Sequence, residues 1–109
     1  MELNDLKSPI RLSETTELKA VFDPVFRSFS AQLWEDGSPA GLLGMAGEFT
    51  HPDDVLDAVD DFLTEHGKSP LTEEQMTRFG GMLIMAKGGP DAMLLQLAIE
   101  DPDSFIVLD

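Results

Sequence analysis

Residues 18–33, LKAVFDPVFRSFSAQL, decide the fold class that this sequence predicts. Apolar side chains recur here every three or four residues, which is the spacing that places them on one face of a helix. They are Leu18, Val21, Phe22, Val25, Phe26, Phe29 and Leu33. Pro24 interrupts the run, because proline removes a helical hydrogen bond. We predict either two helices, with Asp23 as the N-cap of the second, or one helix kinked at Pro24.

The segments around this run are also predicted to be helical. Ser13 is the expected N-cap of the first helix, and Gly37 is its expected C-cap after Glu35 and Asp36. Glycines at positions 41, 44 and 47 follow, and each would weaken a helix by about 1 kcal/mol relative to alanine. We predict a short, closely packed helix at residues 42–46, with a loop as the alternative.

The clearest helix is expected from Thr50, its candidate N-cap, to about Glu65. At about 100° per residue, the apolar and acidic side chains occupy opposite arcs. The apolar arc holds Val55, Leu56, Val59, Phe62 and Leu63, and the opposite arc holds Asp53, Asp57, Asp60, Asp61 and Thr64. This separation predicts an amphipathic surface helix.

Two more helices are expected in the C-terminal third. Thr72 and Gln75 form a capping-box pattern, and the helix that it starts should end at Gly88. The paired glycines at positions 80 and 81 suggest a close backbone neighbour. Pro90 opens a last helix that is apolar nearly all round from residue 92 to residue 99, which is typical of a helix buried in the monomer or in a dimer.

The fold class predicted from these segments is mostly α, a small single-domain bundle of about five helices over residues 1–109. Residues 1–12 are expected to form an extended arm, and residues 101–109 an apolar tail. A short terminal strand pair between residues 9–12 and residues 105–108 is a further option.

Composition excludes several classes of function. The chain has 109 residues, is 42% hydrophobic, lacks cysteine and carries a net charge of −14. Its hydrophobic content predicts a folded chain, while its charge should repel nucleic acids and anionic membranes. Without cysteine there is no disulfide or thiolate chemistry, as is usual in a reducing compartment, so we predict a cytoplasmic protein. The first nine residues lack a signal-peptide pattern, and no segment has about 18 consecutive apolar residues.

No sequence pattern indicates catalysis. His51 and His66 lack metal-ligand spacing, and we find no EF-hand loop, nucleophile elbow or phosphate-binding loop. We therefore predict no catalytic residue, no metal and no cofactor, with an enzyme built on scattered carboxylates as the least favoured reading. The methionines at 45, 76, 82, 85 and 93 are expected to fill the core, with an adaptable groove as the alternative. Trp34 suits either an interface or the core.

The acidic helix carries the functional prediction. No lysine or arginine occurs between Arg27 and Lys68, and that stretch holds nine carboxylates. Aspartate is a poor helix former, and like charges four residues apart repel, so solubility alone is a poor explanation. The predicted partner-binding residues are Asp53, Asp54, Asp57, Asp60, Asp61 and Glu65, with Glu35 and Asp36 as rim contacts.

These residues favour a small inhibitor of the immunity-protein, antitoxin or phage anti-defence (anti-CRISPR) kind. It would act as a nucleic-acid mimic that covers a basic surface on a nuclease, toxin or nucleic-acid-binding effector. The alternative is a structural or adaptor subunit that oligomerises, for example as a homodimer, through its apolar C-terminal third. A purely solvated acidic face and adaptation to salt are the remaining readings of the charge.

Overall fold

The computed structural model describes residues 3–45 and 47–100 and shows an α+β fold. A 3-10 turn at Leu3–Leu6 precedes four strands: β1 (Ile10–Arg11), β2 (Thr16–Asp23), β3 (Ser28–Glu35) and β4 (Ser38–Leu43). Three helices follow: α1 (Pro52–Glu65), α2 (Glu73–Lys87) and α3 (Gly89–Glu100). The strands form one antiparallel sheet in the order β1-β2-β3-β4. The predicted mostly α bundle of about five helices is therefore wrong.

The error lies in residues 18–33, which form the β2–β3 hairpin instead of helices. Cross-strand partners share one face of a sheet, and this hairpin pairs Leu18 with Leu33, Ala20 with Ala31 and Phe22 with Phe29. Four of these side chains also satisfy the helical spacing, so the apolar pattern fits both structures. Both helical alternatives, two helices and one kinked helix, are wrong.

Asp23 begins the hairpin loop rather than a helix. Its Oδ1 accepts the backbone N–H of Val25 at 2.9 Å and that of Phe26 at 3.4 Å. This is the local hydrogen bonding by which aspartate stabilises turns as well as helix N-termini. Pro24 follows Asp23 in the loop, and Arg27 closes the loop with a φ of 51°.

The β3–β4 turn corrects the next two predictions. Asp36 and Gly37 have φ values of 52° and 78°, so the backbone adopts the left-handed conformation at both central residues, as a type I′ hairpin turn requires. Gly37 is therefore a turn residue and not a helix C-cap. The expected short helix at residues 42–46 is also wrong, because β4 continues to Leu43. Ser13, the expected first N-cap, lies in the bend between β1 and β2.

Helices α1 and α2 confirm the local predictions, with one shift at an end. The N-cap position of α1 is His51 rather than Thr50, and no side chain caps it. The capping box of α2 is present, because Thr72 Oγ1 accepts the Gln75 N–H at 3.1 Å and Gln75 Oε1 accepts the Thr72 N–H at 3.0 Å. Helix α2 ends before Gly88, as predicted.

The paired glycines of α2 lie against side chains and not against a backbone. A Cβ built on Gly81 would lie 2.7 Å from Leu6 Cδ2, and one on Gly80 would lie 3.3 Å from Leu56 Cδ1. The 3-10 turn that carries Leu6 can therefore approach α2 closely, because position 81 has no side chain.

The core lies between one face of the sheet and the helices α1 and α2. Its most buried members come from both layers and include Leu18, Phe29, Leu33, Val55, Val59, Leu63, Phe79 and Leu83. Of the methionines in the predicted core set, Met82 is buried, while Met76 and Met85 are partly buried against the core. Met45 and Met93 are exposed.

Helix α3 is only partly covered. Ala92 is buried, and Leu95 and Ile99 pack partly buried against the core, but Met93, Leu94 and Leu97 are 66%, 54% and 48% exposed. The monomer thus leaves an apolar surface on this helix. The predicted tail at residues 101–109 and its strand pairing lie outside the described residues, and Ile10 of β1 pairs with Leu18 of β2. No helix in the described ranges is long and apolar enough to cross a membrane.

Candidate functional site

The acidic residues of α1 occupy the solvent side of the helix, as their periodicity predicts. Val55, Val59, Phe62 and Leu63 are buried against the core, whereas Asp53, Asp57, Asp61 and Glu65 are exposed, and Asp54 and Asp60 are half-buried. At about 1.5 Å of rise per residue, the row from Asp53 to Glu65 is about 18 Å long. It presents six carboxylates along one helix.

No cation within residues 3–45 and 47–100 forms an ion pair with this row. The ion pair found in that part of the chain joins Lys68 to Glu35. Arg78 instead donates to the backbone carbonyls of Asp5 at 2.7 Å and Pro9 at 3.3 Å. Lys19 Nζ lies 4.1 Å from the centre of the Trp34 ring, a cation–π contact. The negative charge on α1 is therefore not compensated by these basic side chains.

Trp34 lies on the other face of the sheet from the core. It follows the buried Leu33 along β3, and successive side chains of a strand point to opposite faces. Its Nε1 donates to Gln32 Oε1 at 3.0 Å, and its ring is half-buried beneath the Lys19 ammonium. Trp34 therefore does not close the core.

Asp60 differs from the other acids of the row because it has a structural partner. Its Oδ1 accepts the backbone N–H of Leu71 at 3.0 Å. Leu71 is buried and immediately precedes the capping box of α2, so this hydrogen bond fixes the α1–α2 connection. Asp53, Asp54, Asp57, Asp61 and Glu65 have no comparable side-chain hydrogen bond to described residues.

The two predicted rim residues lie at the end of the β3–β4 hairpin. Glu35 forms an ion pair with Lys68 and accepts a hydrogen bond from Thr16 Oγ1 at 3.4 Å. The hydrogen bond and the positive charge of Lys68 lower the pKa of Glu35, and the Thr16 hydrogen bond acts in the same direction. Asp36 is exposed in the turn, where its backbone N–H donates to the Thr15 carbonyl at 2.8 Å. Of these two acids, Glu35 is already partnered within the chain.

A groove beside the acidic helix adds residues that the sequence prediction missed. It has a volume of about 430 Å³ and lies between β4, the loop that follows β4, and α1. Apolar lining comes from Leu42, Leu43, Met45, Phe49, Ala58 and Phe62, and acidic lining comes from Glu48, Asp61 and Glu65. Asp61 and Glu65 therefore belong both to the acidic row and to the groove.

Close packing holds α1 beside β4. A Cβ built on Gly41 would lie 2.6 Å from His66 Nε2, so the imidazole occupies the space that a side chain at position 41 would need. The His66 ring also lies 4.5 Å, centre to centre, from the Phe62 ring. Its Nδ1 is 2.9 Å from the Phe62 carbonyl oxygen. The glycine at position 41 is the sequence signal for this contact, but it is compatible with many structures.

The loop wall of the groove is tied to β3. The Phe29 N–H donates to the Phe49 carbonyl at 2.7 Å, and the Gly47 N–H donates to Ser28 Oγ at 3.1 Å. Glu48 accepts the Met45 N–H at 3.1 Å through Oε1. These hydrogen bonds give the groove a preformed wall, with Leu42 and Met45 exposed by 59% and 74% at its side.

Metal binding finds no cluster of ligands in the described ranges. Neither residues 3–45 nor residues 47–100 contribute to a group of three or more histidine or acidic side chains arranged to hold an ion. The acidic row is extended along a helix, an arrangement suited to a long complementary surface rather than to a single small ligand.

Comparison with protein-family models, curated proteins and solved structures found no match to this chain.

Proposed function

We propose that this protein is a small, non-catalytic inhibitor that binds a basic surface of another protein. The observation that carries the proposal is the row of six carboxylates on α1, which has no cation partner in the described part of the chain. A basic partner would supply the missing positive charge. Complementary charge of this kind speeds encounter and selects the partner.

The spacing of the row supports mimicry of a nucleic acid. Six carboxylates over about 18 Å give one per about 3.6 Å along the helix, near the 3.4 Å per phosphate along one DNA strand. A groove that binds a phosphate backbone could therefore accept α1. This favours a nuclease, toxin or nucleic-acid-binding effector as target, and an inhibitor of the immunity-protein, antitoxin or phage anti-defence (anti-CRISPR) kind.

The energetic cost of the row also supports a role beyond solubility. Pairs such as Asp57/Asp61 and Asp61/Glu65 stand four residues apart, and each destabilises a helix by about 0.2–0.5 kcal/mol. Interspersed lysine would give a soluble surface without this repulsion. We further propose that the protein acts in the cytoplasm, because a chain without cysteine suits a reducing compartment. With a net charge of −14, it is not expected to bind nucleic acid or an anionic membrane directly.

Partner capture followed by charge neutralisation tests the proposal. The native host's lysate is passed over the immobilised protein at low and high salt, and the captured proteins are identified by mass spectrometry. Association of the captured basic protein is then measured with the triple variant Asp57→Asn, Asp60→Asn, Asp61→Asn, in which asparagine at position 60 keeps an acceptor for Leu71. Association should slow, and its salt dependence should flatten.

A matched control separates the row from net charge. Glu14, Glu73 and Glu74 are exposed acids outside α1, so their replacement by glutamine removes the same charge from other surfaces. This control variant should associate at close to the wild-type rate. An unchanged on-rate for the α1 variant would refute the proposal.

The exposed apolar surface of α3 supports a second candidate function, a structural or adaptor subunit. Met93, Leu94 and Leu97 are each about half exposed or more, and a second chain would bury them. This function predicts self-association, or capture of a partner that survives high salt. Sedimentation velocity over a range of concentrations tests it, and Leu94→Gln should disrupt any oligomer formed through α3.

A further inference from the structure

We propose that the groove beside β4 receives an extended segment of the inhibited protein, rich in lysine or arginine, which adds to the sheet as a fifth strand. This inference rests on the proposed function and specifies how a basic partner is held. The three features that carry it are the sheet edge at β4, the apolar lining of the groove and the carboxylates at its rim.

The sheet edge supplies the main-chain groups. β4 is the last strand of the sheet, and among residues 3–45 and 47–100 no strand lies beyond it. Proline at position 39 has no N–H to offer, so the part of the edge able to pair on both N–H and C=O groups is residues 40–43. An edge strand with unpaired backbone groups is the template to which an extended peptide adds.

The groove supplies the side-chain selection. His66 packs on Gly41, so the C-terminal part of α1 lies along β4, with Asp61 and Glu65 at the groove. Every second side chain of an added strand would point toward this helix, at a repeat of about 6.6–6.8 Å. Carboxylates four residues apart on a helix repeat at about 6 Å. Lysine or arginine at alternate positions of the segment therefore suits this spacing.

The intervening side chains would lie on the opposite face of the sheet. Leu42 is on that face, because it pairs with Gln32 of β3 and alternates with Leu43, and its side chain is 59% exposed. An apolar residue beside it would bury part of this surface. The expected segment thus alternates basic and apolar residues.

Charge decides between a basic segment and a second copy of this chain. Two copies meeting at their β4 edges would bring together the groove carboxylates Glu48, Asp61 and Glu65 of both chains. Like charges placed opposite each other across strands are destabilising, whereas opposite charges attract. The acidic rim therefore favours a basic occupant.

Peptide binding to the full chain tests strand addition without the natural partner. The probe is a peptide of about six residues, an ordinary strand length, that alternates arginine with valine. Its control has the same sequence with N-methylated backbone nitrogens, which keeps the charge but removes the donors. Fluorescence anisotropy should show at least about tenfold weaker binding of the methylated peptide, because several backbone hydrogen bonds are lost.

Amide chemical shifts locate the bound peptide. They should change at residues 40–43 and at Asp61 and Glu65, and hydrogen exchange at residues 40–43 should slow. Equal affinity of the two peptides, absence of binding at low salt, or shifts confined to the N-terminal half of α1 would each overturn strand addition. Sedimentation that shows dimers, broken by the unmethylated peptide, would assign the edge to a second copy and also overturn it.

Two charge-matched variants separate this inference from the proposed function. Asp61→Asn with Glu65→Gln neutralises the groove, and Asp53→Asn with Asp57→Asn neutralises the same helix outside the groove. The groove variant should weaken peptide binding at least about tenfold and the other variant by a few-fold at most. Equal effects would reject the groove while leaving an acidic partner-binding surface. Unchanged association of both variants with the captured target would refute the proposed function itself.

Discussion

Two adjacent carboxylates of the acidic row should affect stability in opposite directions when each is replaced by alanine. Asp57 is exposed and has like-charged neighbours four residues away on both sides, at Asp53 and Asp61. Asp60 is half-buried, and its Oδ1 accepts the Leu71 N–H at 3.0 Å. The two variants remove the same charge from the same helix, so their difference isolates the hydrogen bond.

The expected size for Asp57→Ala follows from two contributions. Removing two like-charged pairs should stabilise the helix by about 0.4–1 kcal/mol. Alanine is also a better helix former than aspartate by about 0.6 kcal/mol. The variant should therefore raise the free energy of unfolding by about 1–1.5 kcal/mol. In concentrated salt the gain should fall toward about 0.6 kcal/mol, because only the repulsion is screened.

The expected size for Asp60→Ala has the other sign. A hydrogen bond to a charged acceptor contributes about 1.5–3 kcal/mol, and its loss leaves the N–H of a buried residue without that partner. The gain of about 0.6 kcal/mol from helix propensity offsets part of this loss. The net destabilisation should be about 1–2.5 kcal/mol. Asp60→Asn should lose less, because the amide oxygen can accept the same N–H.

Urea denaturation followed by the fluorescence of Trp34 measures both effects, and thermal melting provides a check at about 4 °C per kcal/mol. Stabilisation by Asp57→Ala would mean that the row is retained at a cost in stability. Destabilisation by both variants to the same extent, or no effect of Asp60→Ala, would refute the reasoning.

Three further predictions concern the fold. Gly37→Ala should destabilise the protein by about 1 kcal/mol in urea denaturation, because alanine is strained at a φ of 78°, whereas Gly37→Asn should be closer to wild type; a helix C-cap at this position is not needed to explain such a result. Phe29→Ala should cost about 3–5 kcal/mol in the same assay, since this side chain is only 2% exposed, and a loss below 1 kcal/mol would contradict its place in the core. The lowered pKa of Glu35 means that its pairing with Lys68 stabilises the fold above the ordinary carboxyl pKa, and this contribution is lost as the pH falls through the lowered value. Denaturation at a series of pH values should therefore show wild type and Glu35→Gln converging in acid, and a difference that stays constant would contradict the ion pair.

The hairpin region shows why the sheet escaped prediction. Leu18, Phe22, Phe29 and Leu33 fit a helical repeat, but each also alternates with its strand neighbours once Ala20 and Ala31 are counted as core residues. Alanine gives a weak apolar signal, so the alternation was easy to miss. The Asp36-Gly37 pair was the stronger clue, because this dipeptide is the favoured centre of a two-residue hairpin turn.

The candidate site was predictable in part. The solvent position of the acids on α1 follows from a local repeat, and the structure agrees with that arrangement. The groove was not predictable, because Glu48 comes from a loop, Leu42 from an edge strand, and Asp61 from a helix. The structural roles of Asp60 and Glu35 were also hidden, since their partners Leu71 and Lys68 lie 11 and 33 residues away in sequence.

The sequence by itself determined the features whose interactions span only a few residues. These are the amphipathic helix α1, the capping box of α2, its end at Gly88 and the uncompensated negative charge. Only the tertiary structure decided that residues 16–43 form a meander and that its edge borders the acidic helix. A helix forms its backbone hydrogen bonds within four residues, but a strand takes its partners from another segment, so the choice depends on contacts that a local pattern does not contain.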